Sequence, residues 1–240
     1  MLKMKRILIT GSNSGLGLEF TKQYLERGDY VIASCRKPEN AVELRELKEK
    51  HPGRIIVPQL EVSDEESRDK LFKQISSFID KLDILINNAG VISGNLEYSP
   101  PLGELHKEDM TKVFLINSIS PLYMAERFLP LLKKSNNPVI VNISSMSGSI
   151  TKRTRGGGYS YSASKAALNM FMKNLSNDLR EQRIITVSLH PGWVKTGFPY
   201  TENAPLETED SIKGMIEVIE SLKMEDTGKF FDWHGDELPW

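Results

Sequence analysis

Apolar residues along this chain come in short unbroken runs, separated by longer stretches in which they recur every three or four positions. The first run, residues 6–10 (RILIT), closes on Gly11, and the stretch 16–25 carries Leu18, Tyr24 and Leu25 at helical spacing. A strand, a glycine turn and a helix are predicted. Residues 30–35 (YVIASC) repeat the strand pattern, and the charged stretch 40–50 that follows sets Val42, Leu44 and Leu47 among Glu and Lys. The alternation continues with strands at 55–60, 84–86, 139–144 and 184–190, and with helices over 64–80, 105–134 and 160–181. Strands separated by helices cannot pair as hairpins, so they form parallel units with right-handed crossovers. Their continuous apolar character suits a sheet covered on both faces. The predicted fold class is α/β, a doubly wound parallel sheet of about seven strands in a single domain over residues 1–240. Loop-rich segments fall at 93–103, 151–159 and 191–210, each after a strand. In such sheets ligands bind outside the carboxyl ends of the strands, where these loops lie.

Composition narrows the function classes. The 31 basic and 32 acidic residues leave a net charge of −1, so nothing draws the chain as a whole to phosphate backbones or anionic lipid. Neither nucleic acid nor a membrane is expected as a partner, and no apolar run approaches the roughly 18 residues of a spanning helix. The opening MLKMKRILIT has no small-residue cleavage site and reads as a strand. Cys35 is the single cysteine, which fits a reducing cytoplasmic setting, and His51, His106, His190 and His234 are scattered without ligand spacing. Surface or core roles are expected for them, and no metal. No Gly-x-Ser-x-Gly elbow supports a hydrolase.

Thr10-Gly11-Ser12-Asn13-Ser14-Gly15-Leu16-Gly17 ends the first strand and opens the first helix. Gly11 permits a tight turn, Gly15 lets the backbone approach a pyrophosphate, and Gly17 lets helix pack on strand, while free N–H groups and the helix dipole favour an anion. This strand–turn–helix makes the sheet Rossmann-type. A site for NAD usually has an acid at the end of the second strand, but Ser34-Cys35-Arg36-Lys37 stands there. Arg36 suits a 2′-phosphate, which favours NADP(H).

Tyr161-Ser162-Ala163-Ser164-Lys165 lies at the start of a predicted helix, with tyrosine and lysine one turn apart on one face. An ammonium and a helix N-terminus both favour phenolate over phenol, so the pair has acid/base chemistry. Ser144 and Ser145 end the strand at 139–144, Asn87-Asn88-Ala89-Gly90 ends that at 84–86, Asn117 interrupts an apolar helical stretch, and Pro191-Gly192 follows the strand at 184–190.

With these motifs in this order, the whole chain resembles the short-chain dehydrogenase/reductase superfamily in its single-domain form. SLHPGWVKT and the ending GKFFDWHGDELPW look like the carbonyl reductases of the sniffer and C-factor type. The resemblance implies that Tyr161 is the general acid in carbonyl reduction and that Lys165 binds the nicotinamide ribose and lowers the tyrosine pKa. It also implies that Ser145 hydrogen-bonds the substrate oxygen, with Ser144 and Ser147 as alternatives, and that Asn117 holds a proton-relaying water. The glycine turn, Arg36, Asn88, Ala89, Gly90, Pro191, Gly192, Val194 and Thr196 would line the cofactor. Two departures stand out: Glu61-Val62 replaces the family's usual Asp-Val at the adenine, and Ser145 is separated from Tyr161 by an insert-like Thr151-Lys152-Arg153-Thr154-Arg155-Gly156-Gly157-Gly158. The basic run in that insert is expected to be solvated and flexible.

The expected activity is NADPH-dependent reduction of a small-molecule carbonyl compound, an aldehyde, ketone or quinone. The alternative is a nucleotide-sensing module of the same fold with little turnover. Loop 193–210, carrying Trp193, Phe198 and Tyr200 before an acidic end, is expected to close over an apolar or aromatic carbonyl compound in preference to a sugar or carboxylate. A homodimer through the helices at about 120–134 and 160–181 is expected, with Ala166, Ala167, Met170 and Phe171 as either interface or core.

Overall fold

The computed structural model describes residues 4–92, 102–198 and 201–240. Its elements begin with β1 (Arg6–Thr10), α1 (Gly15–Glu26), β2 (Tyr30–Ser34), α2 (Val42–Lys50), β3 (Ile55–Ile56), α3 (Glu65–Ser76) and β4 (Ile84–Asn87). They continue with α4 (Lys107–Phe114), α5 (Ser120–Leu132), β5 (Val139–Ile143), α6 (Tyr159–Asp178), β6 (Ile185–His190), α7 (Thr208–Ser221) and β7 (Phe230–Asp232). The seven strands form one parallel sheet in the order β3-β2-β1-β4-β5-β6-β7, the doubly wound α/β arrangement expected from the sequence.

Alternation along each strand divides the core into two layers. Ile7, Ile9, Val31, Ala33, Val139 and Val141 lie under Phe20 and Tyr24 of α1 and Ile212 and Met215 of α7. Leu8, Ile32, Leu85 and Ile140 pack on the other side, against Leu71 and Ile75 of α3 and Met124 and Phe128 of α5. With both faces covered, only the strand ends and the loops beyond them are left to form a cleft.

Three elements differ from expectation. The third strand keeps two residues, not six, because Pro58 has no N–H for the ladder; beyond it, pairing resumes as a single bridge between Cys35 and Gln59. The helix predicted over 105–134 is α4 and α5 joined by a π-helical turn at Leu115–Ile119. Pro121, just inside α5, cannot donate to the regular ladder, and bonds from Asn117 and Ser118 to Ser164 of α6 hold the turn in its place. Finally, the loop predicted to run to residue 210 ends at α7, whose first turn contains Glu209 and Asp210, well placed at a helix N-terminus. Residues 93–101 of the expected 93–103 loop lie outside the described residues.

Candidate active site

The cleft crosses the carboxyl ends of the strands and encloses about 1230 Å³. At its centre the glycine turn is held from behind. Asn88 donates from its side-chain amide to the carbonyls of Thr10 (2.9 Å) and Gly11 (3.1 Å), and the backbone N–H groups of Asn88 and Ala89 both donate to the Thr10 hydroxyl at 3.0 Å. α1 begins at Gly15 without a side-chain cap from Ser14, so its first N–H groups are left for a ligand. Gly15 has φ +53°, and a β-carbon there would sit 3.2 Å from the Thr196 carbonyl, so the turn and the loop after β6 meet across the cleft.

The walls include Gly11, Asn13, Ser14, Gly15 and Leu16 of the turn, Arg36, Glu61 and Val62 at the β2–β3 end, and Asn88, Ala89 and Gly90 after β4. They also include Ser145, Tyr161, Lys165, Pro191, Gly192, Val194 and Thr196. Three expected site residues lie off the wall. Ser12 is fully buried, its N–H donating to the Ser34 carbonyl and its hydroxyl to that of Ile9, so it shapes the turn and presents nothing to a ligand. Gly17 serves packing: a β-carbon would lie 2.3 Å from the Gly11 carbonyl oxygen. Asn117 is buried, its side chain accepting from the Val91 N–H and donating to the Val91 carbonyl, both at 2.8 Å, and to the Ser164 hydroxyl. That side chain fixes the segment after Gly90 against α6, and any water it influences must be held by other atoms.

At the β5–α6 end, Tyr161 and Lys165 share one face of α6, with the ammonium 5.7 Å from the phenol ring centre. Lys165 is buried and donates to the Ile143 carbonyl at 2.7 Å; burial pulls its pKa down to about 8. The three serines separate by their bonds. All three line the cleft, but Ser144 is buried and its hydroxyl donates to the Asn169 side chain at 2.7 Å, whereas the Ser145 hydroxyl accepts from the Ser147 N–H, which leaves its own proton for a ligand. Glu61 folds back, accepting from the N–H and hydroxyl of Ser63.

The segment after β6 is tied down at both ends. The Ser211 hydroxyl donates to the Pro191 carbonyl, Thr208 to that of Lys195, and Val194 bridges Leu206. Trp193 and Phe198 stand in the wall; Tyr200 lies outside the described residues. The wall also contains residues with no expected site role, His190 and Arg155 among them. His190 ends β6, and burial pushes its imidazole down to about 4, so it is neutral near pH 7. Arg155, from the basic insert, also lines the cleft. Among the described residues no group of His, Cys, Asp and Glu is placed to hold a metal, and no helix is long and apolar enough to cross a membrane.

The family model for short chain dehydrogenase matches residues 5–206. The chain belongs to the short-chain dehydrogenase family. Among relatives, it is 44% identical over 161 residues to the C-signal protein of Myxococcus xanthus, an alignment covering 66% of this chain and 93% of that one. Among solved structures, an NADPH-bound carbonyl reductase from chicken fatty liver is 35% identical, superimposes with a TM-score of 0.92 and covers 100% of both chains. The carbonyl reductase Sniffer of D. melanogaster has the same identity and TM-score, over 99% of this chain and 100% of that one. Sniffer-like relatives within the short-chain dehydrogenases are those that the SLHPGWVKT segment resembled.

Proposed function

We propose that the protein is an NADPH-dependent reductase of aldehydes, ketones or quinones. The observation that carries this reading is the meeting of Ser145, Tyr161 and Lys165 in one cleft with an uncapped helix N-terminus and, at the far end, Arg36 directly after β2, where no acid stands. NADPH-bound carbonyl reductase among the similar structures supports it. The cleft fits a dinucleotide: a first helical turn with spare N–H groups suits a pyrophosphate, and the exposed guanidinium of Arg36 suits a 2′-phosphate.

Bound there, a nicotinamide supplies the hydride. Ser145 donates its O–H to the carbonyl oxygen of the substrate and Tyr161 gives that oxygen its proton. The Lys165 ammonium offsets the negative charge left on the phenol oxygen. Trp193 and Phe198 keep water from the reacting carbon and favour apolar or aromatic substrates over sugars and small hydroxy acids. The protein acts as a homodimer through the outer faces of α5 and α6.

The test is NADPH and NADH oxidation by the purified protein over a carbonyl panel. Aromatic aldehydes, quinones or diketones should be reduced with NADPH preferred, and Arg36→Asp should abolish or reverse that preference. Equal efficiency with both cofactors would remove Arg36 from the cofactor site, and NADPH binding without turnover on any carbonyl would favour the sensing module.

A further inference from the structure

The cleft wall contains four residues charged at neutral pH, and three have a place in the reading above: Arg36 and Glu61 at the β2–β3 end, and Lys165 beneath the reacting groups. The fourth, Arg155, has none. Among the described residues the arginine ion pairs belong to Arg6, Arg27 and Arg127, and no described carboxylate lies within ion-pair distance of Arg155.

The insert that carries Arg155 is a built turn. At its entry Ser149 donates to the Pro239 carbonyl, and Thr151 donates to the Trp240 carbonyl oxygen from both its N–H (3.0 Å) and its hydroxyl (2.8 Å). Arg153 is spent within the loop, its guanidinium donating to the carbonyls of Gly156 (3.0 Å) and Gly157 (2.5 Å). Arg155, two residues on, is exposed and lines the cleft.

The sheet order decides which end of the cleft it reaches. Arg155 lies on the connection from β5 to α6, beyond β4 from β1, while Arg36 and Glu61 follow β2 and precede α3 on the opposite side of β1. The guanidinium thus joins the substrate end, whose remaining wall includes Ile92, Met146, Trp193 and Phe198. Apolar side chains beside one cation that the reaction does not use fit a molecule with an apolar body and one negative charge. A single guanidinium presents a planar fork that matches a carboxylate, and its one positive charge balances the carboxylate's one negative charge.

We propose that the preferred substrate is a carbonyl compound with a carboxylate on the far side of its apolar body, and that Arg155 binds that carboxylate. This rests on the reductase reading. The test compares para-formylbenzoate with its uncharged methyl ester, in the unmodified protein and in Arg155→Gln, Arg155→Lys and Lys152→Gln. The acid should be reduced with a kcat/KM roughly tenfold above the ester, mostly through KM. Arg155→Gln should bring the acid down to the ester without changing the ester or the Kd for NADPH. Arg155→Lys should keep part of the preference, and Lys152→Gln, on the same loop but off the wall, all of it. Equal efficiency on acid and ester, a preference that survives Arg155→Gln, or weakened NADPH binding in that variant would overturn the assignment while leaving the reductase reading intact. If neither aldehyde is reduced while NADPH still binds, both fall together.

Discussion

At the β1–β2 end the cleft is built on the main chain of the glycine turn, locked by bonds among Ser12, Ile9, Ser34, Thr10 and Asn88. At the β5–β6 end it is largely side chain, gathered from positions as far apart in the chain as Ile92 and Phe198. Main-chain N–H groups recognise what all dinucleotides share, so that end tolerates no added atom. The side-chain end can be altered one residue at a time, with each change retuning which substrate enters. Chemistry is thus concentrated where the wall is built of replaceable parts.

The largest expected effect lies in the side-chain end. Tyr161→Phe should lower kcat by roughly a hundredfold or more, the scale of a lost general acid, with NADPH affinity unchanged by titration of the folded protein. Tyr159→Phe is the control, because Ala163 and not a lysine stands four residues on. Retained turnover in Tyr161→Phe would move the proton donor elsewhere.

Gly17→Ala should show the intolerance of the main-chain end. Its methyl group would lie 2.3 Å from the Gly11 carbonyl oxygen and 2.5 Å from the Asn88 amide nitrogen, so the turn must shift. A loss of about 1–3 kcal/mol is expected from urea unfolding, with NADPH affinity roughly tenfold weaker. Phe198→Ala is the counterpart: KM for the carbonyl should rise while NADPH affinity holds. If the two variants behaved alike, the contrast between the ends would fail.

Lys165 links the two ends energetically. Burial holds its pKa at about 8, below the 10.5 of a free lysine, so charging it opposes folding. Its contribution is fully present above pH 10.5 and is lost as pH falls through about 8. Lys165→Met removes this dependence, and at pH 7 the unliganded variant should be the more stable by up to about 3 kcal/mol, while catalytically dead. Urea unfolding at several pH values checks this, and the gap should close toward pH 10.5.

The smallest effect concerns bracing of the side-chain end. The buried positions of α6 include Lys165, Leu168, Asn169 and Met172; Ala166, Ala167 and Phe171 are only partly buried, and Met170 is 60% exposed. With Tyr123 of α5 also exposed, an outward face is available to a second copy. Met170→Glu should shift the mass by light scattering from dimer toward monomer with kcat changed less than about twofold. A monomeric unmodified protein would remove the dimer altogether.

What could be read from the sequence follows the same division. The glycine turn, Arg36 and the Tyr-x-x-x-Lys pair are local in sequence, so spacing alone brings them to strand ends and one helical face. Arg155 was not legible, because its place depends on Arg153 capturing two carbonyls, a choice between loop shapes that composition does not reveal. His190 owes its burial to the loops and the edge strand β7 that close around the end of β6, of which β7 is a three-residue strand too short to stand out as a run. Asn117 was visible as an interruption, but its use in fixing Val91 required α6 to be in place. α7 is legible in principle: Ile212, Met215, Ile216 and Ile219 have helical spacing, and the acidic run before them, which also suits a loop, is the start of the helix.

The strand order has a consequence for synthesis on the ribosome. Once β1, β2 and β3 have paired, β4 docks against β1, and β5, β6 and β7 then join the free edge one after another in the order in which they emerge. No later strand has to be inserted between two already in place. The residues that back the nucleotide-facing turn, Asn88 included, all precede Tyr161 in the chain, so the supports of the turn are synthesised before the catalytic tyrosine.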